Sequence, residues 1–91
     1  MSTEQLLKER QRTHGNFADH AACTQDLKHV FRMHVELREA ANRPQLTRRH
    51  IESIEMILHK IGRIVAGDPY YDDHWDDIAG YAKIANCKVT P

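Results

Sequence analysis

Apolar positions in this chain return at helical intervals, and no stretch shows the alternation of a half-buried strand. Ile51, Ile54, Leu58, Ile61 and Val65 repeat at spacings of three and four, and Ile57 and Ile64 widen them into a stripe broad enough to face the core of a bundle. Thr47 has N-cap chemistry, Leu46 is placed to fold back on Ile51 as a hydrophobic staple, and Gly67 with Asp68-Pro69 ends the helix. From Phe17 to about Ala41 there is no glycine or proline. Phe17, Ala21, Thr24, Leu27, Phe31, Val35 and Leu37 recur there until Asn42 and Pro44 stop the run.

Two further helices complete the pattern. Ser2 and Gln5 have capping-box spacing for a short first helix, and Gly15-Asn16 breaks it before Phe17. Asp72 or Asp73 opens a last helix with acids in its first turn, where the macrodipole favours them, and with Trp75, Ile78, Ala79, Ala82 and Ala85 as an apolar face. The expectation is one all-α domain, a small bundle of four helices, one short and three longer, over about 3–12, 17–41, 47–66 and 72–86. Residues 47–86 form a helical hairpin in this reading, with Trp75 and Tyr81 in the core. Gly80, in mid-helix at a cost of about 1 kcal/mol against alanine, marks close approach of another backbone or a ligand.

Composition narrows the picture. Ninety-one residues lie near the lower end of sizes that fold without a disulfide or metal, so a homo-oligomer is expected. Thirteen basic against thirteen acidic side chains leave no net charge, which argues against a broad footprint for DNA or an anionic membrane. Arg43, Arg48 and Arg49 cluster at a helix start, where they oppose the dipole, and do not change that reading. No apolar run approaches the roughly 20 residues needed to span a bilayer. Cys23 and Cys87 lack CxxC spacing and the segment MSTEQLLKER lacks the apolar core of a signal peptide, so a cytoplasmic location is expected. The seven histidines show neither HExxH nor zinc spacing, and for most of them an incidental or partner-facing role is expected.

The acids offer the candidate chemistry. Glu52 and Glu55 stand three apart on the third helix; Asp73 pairs with Asp76 at three and Asp77 at four on the fourth. Carboxylates on facing helices suit Mg²⁺, a hard cation that in phosphate-processing sites takes a few carboxylates, water and substrate oxygens. Such an ion would polarise a phosphoryl oxygen and generate the attacking hydroxide, with Lys60 and Arg63 neutralising phosphate charge. Arg12, His14 and Asn16 in the first turn are either a polar connector or ligand contacts. Turning 100° per residue, however, Glu52, Glu55, His59 and Arg63 lie nearly opposite the isoleucine stripe. They form a pocket only at the edge nearest the fourth helix or across a subunit interface.

Glu52-x-x-Glu55, 17 residues, then Asp73-x-x-Asp76 resembles the ExxE…ExxD signature of the all-α nucleoside triphosphate pyrophosphohydrolases of the MazG and dimeric dUTPase type. More closely, HGNF at 14–17, HKIGRIVAGDP at 59–69 and DHWDDIAGYAKI at 73–84 resemble a family of small phage and prophage proteins, over roughly residues 9–86. The MazG resemblance implies Mg²⁺ held by Glu52, Glu55, Asp73 and either Asp76 or Asp77, and cleavage between the α- and β-phosphates of a nucleotide. The third acid departs from the pattern, being Asp rather than Glu. Two functions follow as expectations. One is a Mg²⁺-dependent pyrophosphohydrolase with Glu52, Glu55, Asp73 and Asp77 catalytic and Lys60, Arg63, His14 and Asn16 on the nucleotide. The other is a non-catalytic module that sequesters a nucleotide signal or grips a host protein.

Overall fold

The computed structural model describes residues 2–87, and among them every regular element is helical: α1, Thr3–His14; α2, Phe17–Ala40; α3, Arg48–Ala66; and α4, Asp72–Ala85. The caps follow the local chemistry. Gln5 N–H donates to Ser2 Oγ while Ser2 N–H donates to Gln5 Oε1, a reciprocal box at the start of α1. Thr47 and His50 close the same box on α3, with His50 Nδ1 accepting from Thr47 N–H in place of the usual glutamate. Asn42 takes the left-handed conformation, φ 59°, that stops α2.

Helix bounds fall within two residues of those expected, but the architecture differs. Only Gly15 and Asn16 part α1 from α2, so the two count as one long helix bent at that point, giving three helical bodies rather than a bundle of four. Asn16 Oδ1 accepts from the Ala18 and Asp19 N–H groups, which restarts the helix at once. α3 lies in the middle: α2 packs on it, α4 packs on it, and α2 and α4 do not pack on each other. The result is a flat layer of extents 51 × 29 × 21 Å.

The orientation of α3 is turned from the expected one. Gly62 of α3 faces His20 and Thr24 of α2, with no room for a Cβ, and Glu55 pairs with Arg32 of α2 at 2.6 Å. On its other flank Lys60 pairs with Asp77 of α4 at 2.8 Å. Lys60 and Gly62 are about 160° apart on a helix turning about 100° per residue, so α2 and α4 hold opposite flanks. The isoleucine stripe lies between them on one side of the layer, with Ile51, Ile54, Ile57, Leu58, Ile61 and Ile64 half-buried and Val65 exposed. The buried side chains are accordingly polar, namely Thr13, His20, Thr24, Ser53, Lys60 and His74, and no hydrophobic residue is buried among those described. Val65 is 68% exposed and Trp75 52%, which corrects the expectation of a core stripe packed on Trp75. The inward line of α4 is instead His74, Ile78, Tyr81 and Ala85, at helical spacing, with Tyr81 half-buried. Gly80 has open space where a Cβ would stand, so it marks no close approach.

The close approach lies elsewhere. At the bend, Gly15 has φ 83° and sits against the backbone of Ala66, while Gly67 sits against Thr13, His14 and Gly15. Thr13 O accepts from Asp68 N–H at 3.2 Å and from His74 Nε2–H at 2.9 Å. HGNF and AGDP, both read as turns in the sequence, are two sides of one knot that ties the bend to the α3–α4 connection.

Candidate functional site

The predicted acidic site is dispersed. Glu55 accepts two hydrogen bonds from Arg32, from Nε at 2.9 Å and Nη2 at 2.6 Å, and its side chain is only 15% exposed. Asp77 is taken by Lys60, whose ammonium holds its carboxyl below the usual range. Asp73 accepts from the Tyr71 hydroxyl at 3.0 Å. Glu52 and Asp76 are exposed. Among the described residues no three acids, histidines or cysteines stand close enough to hold a metal ion. The donor set therefore does not fit Mg²⁺ in this arrangement: each of the two inward carboxylates already has its cation from a neighbouring helix.

The phosphate-binding set fares differently. His14, Asn16 and Arg63 line one cavity of about 660 Å³, together with Arg10, Phe17, His20 and His59, in the angle between the α1–α2 bend and α3. Lys60 does not reach it, being buried in its pair with Asp77. The charge in this cavity is one-sided. Arg63 is half-buried, and burial with the nearby Arg10 guanidinium lowers its pKa. Asp77 tempers this from the flank, but neither Arg10 nor Arg63 makes an ion pair among the described residues. No aspartate or glutamate lines the cavity.

Three of the seven histidines, His14, His20 and His59, line the cavity, and a fourth, His74, packs behind His14. His14 meets His74 edge to face at 4.7 Å, and His20 meets His59 in the same way at 4.7 Å. His20 Nε2–H donates to the His59 carbonyl at 3.3 Å, which fixes its tautomer. Burial, then the charge of Arg63, pushes both His14 and His59 down to about 4, and burial lowers His20 as well. These three imidazoles, His14, His20 and His59, are thus held toward the neutral form at pH 7 and supply hydrogen-bonding nitrogens rather than charge. At the rim Phe17 is 80% exposed, an unshielded aromatic face beside two guanidinium groups.

Arg10, Phe17, His20 and His59 were not among the sequence candidates for this cavity. His20 and His59 are 39 residues apart in the chain, and only the pairing of α2 with α3 brings them together. Arg10 sits on the short first helix, whose direction depends on the bend at Gly15. No helix among the described residues is long and apolar enough to cross a membrane. No protein-family model, no curated protein and no solved structure matches this chain.

Proposed function

We propose that this chain binds a phosphorylated small molecule of nucleotide type in the cavity between the α1–α2 bend and α3, and holds it without cleaving it. The observation that carries the reading is the pair of guanidinium groups, Arg10 and Arg63, in one concavity with no carboxylate and no ion-pair partner among the described residues. Arg63 is half-buried and Arg10 exposed beside it; the half-buried charge with a like charge nearby is costly, and an anion that accepts from both offsets the cost. The volume, about 660 Å³, lies in the range of small-ligand sites. Phe17 offers a stacking face for a base while the guanidiniums take phosphate, a division of labour common in nucleotide recognition. The N-terminus of α2 opens on the same cavity through Asn16, Phe17 and Ala18, and its dipole favours an anion. Sequestration is favoured over Mg²⁺-dependent hydrolysis because Glu55 and Asp77 are engaged by Arg32 and Lys60.

Titration calorimetry with a panel of nucleoside mono-, di- and triphosphates against the parent nucleosides tests this. Binding is expected for phosphorylated compounds, weakened at least about tenfold by Arg63→Ala or Arg10→Ala and reduced by salt. Chromatography of the bound nucleotide after incubation with Mg²⁺ is expected to return it intact. Absence of binding by every phosphorylated compound at low ionic strength overturns the reading, and turnover overturns its non-catalytic part.

A further inference from the structure

We infer that the apolar side of the helical layer is an interface with a second copy of this chain, packed face to face about a two-fold axis. Burial, surface area and shape lead there. No hydrophobic residue is buried among those described, although 41% of the sequence is hydrophobic. The accessible surface is 6947 Å², where a compact monomer of 10.6 kDa exposes about 5,500 Å². The radius of gyration is 15.6 Å, against about 12 Å for a compact domain of this length.

The excess, about 1,500 Å² per chain, amounts to about 3,000 Å² for a pair, within the range of obligate homodimers and above that of transient contacts. Part of the exposed apolar surface shares one side of the layer. With α2 and α4 fixed on opposite flanks of α3 by Gly62 and Lys60, helical rotation puts Ile54, Ile61 and Val65 on one side of the layer and Glu52 and Arg63 on the other. The antiparallel turn into α4 brings Trp75 to the apolar side, and the opposite turn from α2 brings Val30 there. Val30, Val65 and Trp75 are 50%, 68% and 52% exposed.

A second copy is the occupant that this face fits. A chain whose buried side chains are histidines, threonines, a serine and a lysine lacks the apolar burial that holds a small domain together, and a second copy is available wherever the chain is made. In an isologous contact residue i meets j and j meets i, so a charge at or near the two-fold axis would meet its like. Between Thr47 and Val65 the outward stripe of α3 carries none: Thr47, His50, Ile54, Ile57, Leu58, Ile61 and Val65 follow one another along it. The anion cavity opens on the side of Arg63, away from this face, so assembly does not depend on the nucleotide reading.

Sedimentation equilibrium across a dilution series, read with the fluorescence of Trp75, the sole tryptophan, decides the matter. A mass of twice 10.6 kDa is expected, with dissociation on dilution accompanied by a red shift of the emission. Val65→Asp removes a side chain that is mostly exposed within one chain, so it is expected to leave each chain's helicity in place and weaken the pair at least about tenfold. Glu52→Ala, on the other side, is expected to leave the pair unchanged. A wild-type chain that stays monomeric at about 100 µM, with a melting temperature independent of concentration, overturns the inference. So does an assembly indifferent to Val65→Asp.

Discussion

Thr24 of α2 and Gly62 of α3 meet side chain to backbone, the threonine hydroxyl occupying the place where a Cβ on residue 62 would stand. His20 Cδ2 lies 3.1 Å from the same point. The contact sets how closely the two helices approach, and with it the pairing of Glu55 with Arg32 and of His59 with His20. Gly62→Ala gains about 1 kcal/mol of helix propensity but overpacks the contact by about 1–3 kcal/mol. A net loss of stability in urea denaturation is expected. Thr24→Ala makes room, so the double variant is expected to recover part of the loss, and strict additivity would show that the contact does not set the spacing.

The same pair shows what could and could not be read from the sequence. Helix bounds were legible because their signals are local: a capping box at Ser2, a glycine at 67, an asparagine before Pro44. The face each helix turns inward was not. A stripe of isoleucines on α3 reads as the inward face whenever one chain is taken as the whole body, and here Gly62, Glu55 and Lys60 meet the flanking helices while the half-buried stripe lies between them on one side of the layer. The aspartates of α4 were correctly placed on one helix, yet Asp77 meets a lysine from α3 and Asp73 meets Tyr71. Spacing within a helix says which residues share a face, and nothing about the partner across it. The cavity was half legible, through His14, Asn16 and Arg63, because two of those bracket a glycine bend. Its remaining residues depend on the long-range pairing of α2 with α3.

His74 is the most deeply buried large side chain described, 1% exposed, and its Nε2–H donates to Thr13 O across 61 residues of sequence. Its ring also packs on His14 and on Tyr71. Replacement by alanine removes the donor and leaves a void, and a loss of about 2–4 kcal/mol is expected in equilibrium unfolding. His74→Gln, which retains a donor, is expected to lose less. Equal losses for the two would assign the effect to packing alone.

The Lys60–Asp77 pair is asymmetric, with a lysine side chain 11% exposed and an aspartate 47% exposed. Asp77→Asn leaves a buried ammonium with a weaker partner, whereas Lys60→Met removes the charge that needed one. Asp77→Asn is therefore expected to be the more destabilising, and Lys60→Met/Asp77→Asn to melt higher than Asp77→Asn alone. The opposite order would indicate that Asp77 is held for a ligand rather than for Lys60.

The histidines give the fold a pH dependence whose sign is fixed by burial. His14 and His59 stand at about 4 in the folded chain, against the ordinary 6.5 of an unfolded one. Between those values the unfolded state binds the additional protons, so stability rises with pH there. Their contribution is complete above about 6.5, falls as pH drops toward 4, and changes no further below it. The Lys60-paired carboxyl of Asp77 adds its own loss only at lower pH, beneath the ordinary 3.8 of a free aspartate. Urea midpoints measured from pH 7 to pH 4 are expected to decline, with a shallower decline in His59→Asn, whose side chain stays neutral throughout. A phosphate in the cavity would favour the imidazolium forms. The same series run with a bound nucleotide is then expected to show proton uptake on binding near pH 6, and a pH-independent affinity would place the ligand away from His14 and His59.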